Sequence, residues 1–226
     1  MEYLILGNGL VGGELQKRTG WDCIARSTNG FDIRDPDRFD AYLRGYKTII
    51  NCIGYVKDYY NRDMNWVTNW QAVIDLVDWC NINKVKFVHM SSDCVYRGRK
   101  PYAKESDVPV HAENWYAYSK LLADGYVQAR SNHYLMVRMA LKGKPFPFDA
   151  VSDRVGNFDY VDRIVNLIVQ LIKADASGVF NIGTDPKSML HLARLTKPTI
   201  ETDGKPVIDM TMNLDKMKGA LCKMQF

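Results

Sequence analysis

The sequence lacks several features that would assign it to particular classes of protein. No apolar run approaches the roughly 20 residues that span a bilayer, and no block of like charge is long enough to suggest a nucleic-acid-binding tail. The formal net charge is only +4. A strand-like segment follows Met1 almost directly, without the charged and apolar regions of a secretory signal. We therefore expect a soluble cytoplasmic protein that binds neither membranes nor nucleic acid.

The arrangement of the five cysteines argues against two kinds of site. Disulfide frameworks use paired cysteines, and zinc sites use closely spaced ligands. The cysteines of this chain are odd in number, widely separated and never in Cys-x-x-Cys spacing. They are Cys23, Cys52, Cys80, Cys94 and Cys222. This pattern predicts reduced thiols and no metal site.

Short apolar segments alternate with segments of helical periodicity along most of the chain. Strands are predicted at residues 3–6, 23–25, 48–51, 85–90, 134–137 and 179–182. Helices are predicted at residues 10–18, 37–43, 62–80, 115–129 and 161–172. Such alternation is typical of βαβ units and of a parallel sheet covered on both faces.

These elements predict the fold class and its division. We expect an α/β protein with a Rossmann-type, doubly wound parallel sheet and a small C-terminal substrate lobe. Residues 1–150 would form the dinucleotide-binding domain. Residues 151–226 would complete the sheet and add the lobe, and the chain of 226 residues is long enough for one such compact unit.

A glycine-rich turn joins the first predicted strand to the first predicted helix. Its residues are Gly7-Asn8-Gly9-Leu10-Val11-Gly12, which fit the Gly-x-Gly-x-x-Gly pattern of dinucleotide-binding proteins. In that pattern the glycines allow a tight turn, the approach of a pyrophosphate and close packing of helix on strand. The alternative is an ordinary strand-to-helix turn. The position between strand and helix favours the dinucleotide interpretation.

The end of the second predicted strand indicates which nicotinamide cofactor is bound. An acidic residue there binds the ribose of NAD, whereas arginine accommodates the 2′-phosphate of NADP. This chain has Arg26-Ser27-Thr28 and no carboxylate. We therefore predict NADP(H), with NAD(H) as the other candidate cofactor and a solvent-facing Arg26 as the alternative. Cys52-Ile53-Gly54 follows the third strand, at the sheet edge where such ligands bind.

A candidate catalytic group lies on the fourth strand and the helix after it. Tyr116 and Lys120 are spaced to lie on one helix face. Tyrosine, with a pKa near 10, is a poor catalyst at neutral pH unless a neighbouring cation stabilises its phenolate. Ser92, at the strand end, could donate a hydrogen bond to a substrate carbonyl. A tyrosine–lysine pair arises by chance on many helices, so its order after the glycine turn and the serine carries the inference.

With these motifs together the chain resembles the extended short-chain dehydrogenase/reductases, and among them the dTDP-4-dehydrorhamnose reductase-like sugar-nucleotide reductases. The segment Ser91-Ser92-Asp93-Cys94-Val95-Tyr96 is similar to a Ser-Thr-Asp-Tyr-Val-Phe signature of these enzymes. The other similar segments are Asn51-Cys52-Ile53-Gly54-Tyr55, Asp32-Ile33, Asn69, Asp153-Arg154-Val155-Gly156 and Tyr160-Val161-Asp162.

The resemblance implies roles for these positions. Ser92, Tyr116 and Lys120 would be catalytic, and the substrate would be a nucleotide sugar. Cofactor contacts would come from the glycine turn, from Arg26 and Ser27, from Tyr116 and Lys120, and from Asp32, Ile33, Cys52, Ile53, Gly54, Tyr55 and Asn69. The resemblance also implies a homodimer, formed by pairing the helices that carry Asn69 and Tyr116.

Two departures from the family pattern bear on the substrate. Only fourteen residues separate Arg138 from Asp153, a short stretch for a sugar-nucleotide pocket. Cys94 stands where the reductases have tyrosine, and the related GDP-fucose synthases use a cysteine there, with a histidine partner, to epimerise the sugar. We interpret Cys94 as a small packing residue, because free cysteine is among the most buried residue types.

The leading hypothesis is an NADPH-dependent reductase of a 4-keto deoxysugar nucleotide. Two alternatives stay open. An NAD-dependent epimerase or dehydratase would use the same three residues, and Arg26 argues against it. A non-catalytic, NADP-binding regulatory subunit would account for the short substrate region. The intact group of Ser92, Tyr116 and Lys120 argues against that second alternative.

Overall fold

The central sheet is parallel and carries the sites predicted above. A computed structural model describes residues 1–96, 101–107 and 112–223. In that part of the chain six parallel strands form the sheet, in the order β10-β5-β4-β3-β1-β2. Their bounds are β1 (Tyr3–Leu6), β2 (Asp22–Ile24), β3 (Thr48–Asn51), β4 (Lys86–Met90), β5 (Tyr134–Met139) and β10 (Gly178–Ile182). The strand order reverses between β1 and β3, and open α/β sheets bind ligands beyond the carboxyl ends of the strands at such a point.

Helices cover both faces of this sheet. Their bounds are α1 (Leu10–Thr19), α2 (Arg26–Asn29), α3 (Phe39–Leu43), α4 (Arg62–Asn65), α5 (Ala72–Ile82), α6 (Trp115–Arg130), α7 (Val161–Lys173), α8 (Met189–Arg194) and α9 (Asp215–Cys222). Successive strand residues point to opposite faces. Ile5, Ile50 and Val88 accordingly pack with α1 and α7, while Ile49 and Phe87 pack with α3, α5 and α6. The predicted doubly wound fold is confirmed.

The predicted helix at 62–80 is wrong in one respect. Helix α4 continues into a π-helical segment, Trp66–Gln71, before α5 begins. Trp66 is 40% exposed, whereas the buried side chains of this region include Asn65, Thr68 and Asn69. The extra residue of a π turn shifts the buried face of the helix here.

Short strands beyond the sheet form the predicted C-terminal lobe. They are β6 (Leu141–Lys142), β7 (Ala150–Val151), β8 (Arg154–Gly156), β9 (Asp159–Tyr160), β11 (Lys187–Ser188), β12 (Glu201–Thr202) and β13 (Ile208–Asp209). Phe146, Phe158 and Leu192 belong to a separate apolar cluster under this lobe. Helix α9 instead returns to the main domain, since Met217 packs in the first core cluster. The division at residue 150 stays a prediction.

Candidate active site

The glycine turn has the geometry that a bound pyrophosphate requires. Gly7 has a φ of +94°, and a Cβ at Gly12 would lie 1.8 Å from the Gly7 carbonyl oxygen. These two positions therefore need glycine for the tight turn and the close packing of α1. A Cβ at Gly9 would meet no heavy atom within 4 Å. Gly9 caps α1 without a side-chain hydrogen bond, so the first N–H groups of the helix are available to an anion.

Arg26 and Ser27, which were predicted to recognise the ribose end of the cofactor, lie beside the glycine turn. Arg26 opens the single turn of α2 and is 75% exposed at its side chain. The Asn8 amide donates to the Ser27 hydroxyl at 3.1 Å, which holds the glycine turn against α2. The Arg26 Nε lies 3.8 Å from a carboxylate oxygen of Asp32. Arg26, Ser27 and Asn8 thus present polar groups to one region of the surface.

Asp32 is held by a second arginine. Arg34 donates to both carboxylate oxygens of Asp32, at 2.9 and 2.6 Å. This charge-assisted pairing lowers the pKa of Asp32 to about 2. Ile33 is buried, so its side chain lies in the core and only its backbone faces this region. A cavity of about 460 Å³ adjoins the pair, and it is lined by Asp32, Arg34, Asp35, Val67, Gln71, Ala72 and Asp75.

The loop after β3 is positioned by Asn69. Cys52, Ile53 and Gly54 line a cavity of about 440 Å³, the main cavity, which also contains Tyr116 and Lys120. The Tyr55 N–H donates to the Asn69 Oδ1 at 2.7 Å, and the Asn69 amide donates to the Tyr55 carbonyl at 3.0 Å. Asn69 is fully buried and does not line the cavity. In the structure Asn69 therefore has a positioning role, in which it fixes the loop backbone, and its direct contact with the cofactor stays a prediction.

We expect Asn69→Ala to weaken both the fold and the cofactor site. The change leaves the N–H and the carbonyl of Tyr55 without their partner, which costs about 1–3 kcal/mol when such groups are buried. Urea unfolding would report the stability loss, and fluorescence titration would report a weaker NADPH affinity. Asn69→Asp keeps the acceptor but not the donor, so its stability and its NADPH affinity should lie between those of the wild type and of Asn69→Ala. Wild-type stability and affinity in Asn69→Ala would contradict the positioning role.

Lys120 lies beneath this loop in a buried environment. Its ammonium donates to the Met90 carbonyl at 3.0 Å, and a Cβ at Gly54 would lie 3.4 Å from its Nζ. Burial lowers the pKa of Lys120 to about 8, and the nearby Asp124 opposes that change. Lys120 is therefore a cation of reduced proton affinity at the floor of the cavity.

Tyr116 and Ser92 complete the predicted group. Tyr116 is one turn before Lys120 on α6 and lines the same cavity as Ser92. Its ring stacks on the ring of Tyr59, with centroids 4.7 Å apart. Burial raises the pKa of Tyr116 far above its ordinary value, Cys94 adds to the rise, and a hydrogen bond with Ser92 opposes it. The phenol is therefore protonated at neutral pH, and its pKa is raised rather than lowered, contrary to the effect expected of a neighbouring Lys120 ammonium.

A buried ion pair behind α6 was missed by the sequence analysis. The Arg138 Nε lies 2.8 Å from a carboxylate oxygen of Asp124, and both side chains are buried. Arg138 also donates to the Tyr96 hydroxyl at 2.6 Å, and that hydroxyl donates to Asn181 at 2.9 Å. Burial raises the pKa of Asp124, with Arg138 opposing. No sequence signal links Arg138 to Asp124, because the two residues lie on different elements and meet only through packing.

Charged residues to which the sequence analysis gave no individual role also line the cavity. Asp93, Lys142 and Arg154 line it together with Cys94. The expectation that Cys94 is a core packing residue is wrong: it is half-buried and belongs to the cavity wall rather than to an apolar cluster. Among the residues that the structure describes, the cavity wall includes no histidine.

One cavity of about 440 Å³ brings most of the predicted residues together. It is lined by Gly9, Leu10, Val11, Cys52, Ile53, Gly54, Ser92, Tyr116 and Lys120, with further side chains from β5 and the C-terminal lobe. Asp32 lies at the second cavity, and Arg26, Ser27 and Asn8 lie on the surface near it.

In residues 1–96, 101–107 and 112–223, no group of three or more histidine, cysteine, aspartate or glutamate side chains could hold a metal ion. No helix in those residues is long and apolar enough to cross a membrane.

Comparison with known sequences gives a family and distant relatives. The model of the NAD dependent epimerase/dehydratase family matches residues 7–146. dTDP-4-dehydrorhamnose reductases of two Mycobacterium tuberculosis strains are each 25% identical over 185 residues. That match covers 71% of this chain and 61% of each relative. The chain therefore spans about 61% of the length of the curated relatives that it matches.

Solved structures share the fold at low identity. A hypothetical dTDP-4-dehydrorhamnose reductase from Sulfolobus tokodaii superposes with a TM-score of 0.83 at 20% identity, covering 97% of this chain and 94% of that one. A dTDP-4-dehydrorhamnose reductase from Bacillus anthracis in complex with NADP gives 0.81 at 20% identity, covering 96% and 90%. A UDP-glucuronic acid 4-epimerase from Bacillus cereus in complex with NAD gives 0.78 at 16% identity, covering 98% and 90%. These likenesses establish the architecture.

Proposed function

Because the chain belongs to the NAD dependent epimerase/dehydratase family, we propose that it is an NADPH-dependent reductase of a nucleotide-activated 4-keto deoxysugar. The observation that carries the proposal is the meeting of Tyr116, Ser92 and Lys120 in one cavity with the glycine turn. The similarity to dTDP-4-dehydrorhamnose reductases supports the class of substrate. A buried, protonated tyrosine also suits reduction, since reduction of a carbonyl consumes a proton.

The residues divide the work of carbonyl reduction between them. When bound, the reduced nicotinamide supplies a hydride to the carbonyl carbon. Ser92 donates a hydrogen bond to the carbonyl oxygen and polarises it, while Tyr116 transfers its phenolic proton to that oxygen. The C=O bond thus gains one hydride and one proton and becomes an alcohol.

Lys120 supports both the proton transfer and the binding of the cofactor. Its ammonium favours the phenolate that Tyr116 becomes after it has given up its proton. Because Lys120 also lies against Gly54, at the cavity floor, it can donate to the hydroxyls of a nicotinamide ribose. The proton would return to Tyr116 from solvent before the next turnover.

The direct test of the proposal is a panel of keto nucleotide sugars with 4-keto and other keto positions. The purified chain should oxidise NADPH in the presence of a 4-keto deoxysugar nucleotide, and the alcohol product should be found by mass spectrometry. Loss of NADPH absorbance without an alcohol product would contradict the proposal. Product formation at the wild-type rate by a variant that lacks the Ser92 hydroxyl would contradict it as well. Tight NADPH binding with no reduction across the panel would instead favour a regulatory subunit.

The cofactor is predicted from Arg26. Arg26→Ala should weaken NADPH binding by about 1–3 kcal/mol, the scale of a hydrogen bond to a charged group. NADH lacks the 2′-phosphate, so its affinity should be almost unchanged. Fluorescence titration of both cofactors measures the difference, with Arg44→Ala as a control, because Arg44 is an exposed arginine paired with Asp40 outside both cavities. An equal loss for both cofactors would show that Arg26 does not bind the 2′-phosphate.

Cys94 tests the epimerase alternative, which its place on the cavity wall favours. For a reductase, Cys94→Ser should keep turnover largely intact, since the thiol moves no proton. An epimerase would exchange the hydrogen next to the ketone with solvent through this residue. We therefore expect the wild type to incorporate no deuterium at that carbon in heavy water. Incorporation by the wild type that is lost in Cys94→Ser would make the enzyme an epimerase-reductase.

The family resemblance also supports a cytoplasmic homodimer. The cysteines are free thiols, as in a reducing compartment. The exposed aromatic side chains include Tyr60 just before α4, Trp66 in the π-helical segment and Tyr118 on α6. A surface of this kind is typical of an interface. Light scattering after size exclusion would measure the mass, and a monomer at high concentration would exclude the dimer.

A further inference from the structure

Two cations line the candidate active site close to Asp93 and Cys94. Lys142 ends β6 and Arg154 begins β8, and both side chains line the cavity that contains Tyr116. Within the described ranges neither side chain makes a hydrogen bond or an ion pair, although the backbones of both residues lie in paired strands. The ammonium of Lys142 lies 5.5 Å from the ring centroid of Phe148. Both are only half-exposed, unlike a lysine or arginine that extends freely into solvent.

The charges around this point do not balance. Burial lowers the pKa of Lys142, Asp93 raises it, and the charge of Arg154 lowers it further. Burial raises the pKa of the Asp93 carboxyl, and Lys142 and Arg154 oppose that rise. Even with Asp93 ionised, one positive charge is left over among the three groups. Like charges in a partly buried site repel each other, and an anion placed between them would remove that repulsion.

We propose that Lys142 and Arg154 form a binding site for an acidic group of the substrate, a phosphate or a carboxylate, beside the reacting carbonyl. The inference rests on the proposed function in that it places the substrate in this cavity. A guanidinium donates two parallel hydrogen bonds to a carboxylate or a phosphate, while an ammonium adds a flexible point charge. Lys142 comes from the carboxyl end of the sheet and Arg154 from the C-terminal lobe, so the acidic group would contact both parts of the fold.

This site is separate from the cation that serves the cofactor. Arg26 lies at the far end of the glycine turn, near Asp32 and Ser27, and does not line the main cavity. Lys142 and Arg154 lie near Asp93 and Cys94, in the same cavity as Tyr116. An acidic group held there would fix the orientation of the sugar relative to Tyr116. The two residues are thus positioned to determine which substrates react.

The experiment measures binding rather than turnover. Wild type, Lys142→Met and Arg154→Gln, each saturated with NADP⁺, are titrated calorimetrically with UDP-glucose, UDP-glucuronic acid, dTDP-glucose and inorganic pyrophosphate. Lys144→Met is the matched control, since Lys144 lies two residues away, is exposed and does not line the cavity. Each cavity variant should lose about 10-fold or more in affinity, the scale of one charge-assisted hydrogen bond. The control should bind as the wild type does.

The probes distinguish the two sources of acidic group. If the cations bind the diphosphate, both variants should bind every nucleotide sugar and pyrophosphate more weakly, by a similar factor. If they bind a carboxylate on the sugar ring, the wild type should prefer UDP-glucuronic acid to UDP-glucose, and both variants should lose that preference. Unchanged affinities in Lys142→Met and Arg154→Gln, or no binding of any probe by the wild type at millimolar concentration, would overturn the inference.

Two controls keep the outcome interpretable. NADPH affinity and the circular dichroism spectrum of each variant show that the fold is intact, and Lys142→Arg should retain binding because it keeps the charge. Failure of the proposed function has a different signature. In that case no keto sugar is reduced, while binding of the acidic probes still depends on Lys142 and Arg154. If the anion site alone fails, reduction continues and the variants bind normally.

Discussion

Tyr116→Phe is expected to lower turnover by about 10²–10⁴-fold, the usual contribution of a general acid. The substitution removes one hydroxyl and keeps the ring that stacks on Tyr59, so folding and NADPH affinity should be preserved. Steady-state kinetics with the best substrate of the panel, together with cofactor titration, measure the two effects separately. Undiminished turnover would mean that another group supplies the proton.

Lys120→Met is the companion variant and should impair two properties together. Its ammonium serves both the phenol and the cofactor, so turnover and NADPH affinity should fall. The double variant should lose little more turnover than Tyr116→Phe alone, because both residues act in one proton-transfer unit. Losses that simply add would show that the two residues act independently.

The pH dependence of the wild type derives from the same pair. Burial keeps the Tyr116 phenol protonated by raising its pKa, so Tyr116 should not limit activity at moderately alkaline pH. Burial lowers the pKa of Lys120 to about 8. The ammonium is present below that value and is lost above it. We therefore expect kcat/KM to be level below about pH 8 and to fall at higher pH, with no such limb in Lys120→Met.

Arg138→Met is expected to lower the free energy of unfolding by about 3–5 kcal/mol, because it leaves the buried charge of Asp124 without its partner. Arg138 is only 3% exposed and its Nε lies 2.8 Å from Asp124. Urea unfolding measures the loss, which is large against the total stability of about 5–15 kcal/mol typical of a domain. Wild-type stability in this variant would show that the ion pair contributes nothing.

The double variant Arg138→Met/Asp124→Leu provides the matched control. Replacing both charges with apolar side chains removes the unpaired group, so most of the lost stability should return. The single variant should also depend on pH. Burial already raises the folded-state pKa of Asp124, and removing Arg138 raises it further. A carboxyl group with a raised folded-state pKa favours the folded state at low pH, and this stability is lost as pH rises through that pKa. Arg138→Met should therefore be less impaired at pH 5 than at pH 8.

The sequence predicted the features that depend on local spacing. The glycine turn is recognisable because a Cβ at Gly12 would collide with the Gly7 carbonyl, which only glycine avoids. Tyr116 and Lys120 share one face of α6 as a direct consequence of helical periodicity. The alternation of apolar strands and helices likewise predicted the sheet and its two covered faces. Each of these features is determined either by residues close together in the sequence or by the pattern of buried apolar residues.

The features that the sequence did not predict depend on distant residues. Arg138 is on β5 and Asp124 on α6, and nothing in either segment identifies the other as its partner. Lys142 and Arg154 are ordinary surface-type residues in sequence, and only the packing of the lobe against the sheet brings them to the cavity. The hydrogen bonds of Asn69 to Tyr55 were not predictable, because a backbone partner has no side-chain signature. Cys94 was interpreted as a core residue because free cysteine is a buried residue type, and only the packing of the chain brings it to the cavity wall.

The π-helical segment Trp66–Gln71 lets the two parts of one helix direct different side chains to different neighbours. Helix α5 must turn Val73 and Val77 toward the sheet, while Asn65 and Asn69 must point at the loop of Tyr55, where Asn69 also donates to Asn65. One residue in excess of the α-helical repeat rotates the rest of the helix by about 100°. Deleting a single residue of this segment would restore a regular α-helix. Asn65 and Asn69 would then no longer point at the loop of Tyr55. The length of this segment is therefore coupled, through Asn69 and the loop, to the position of the backbone over Lys120.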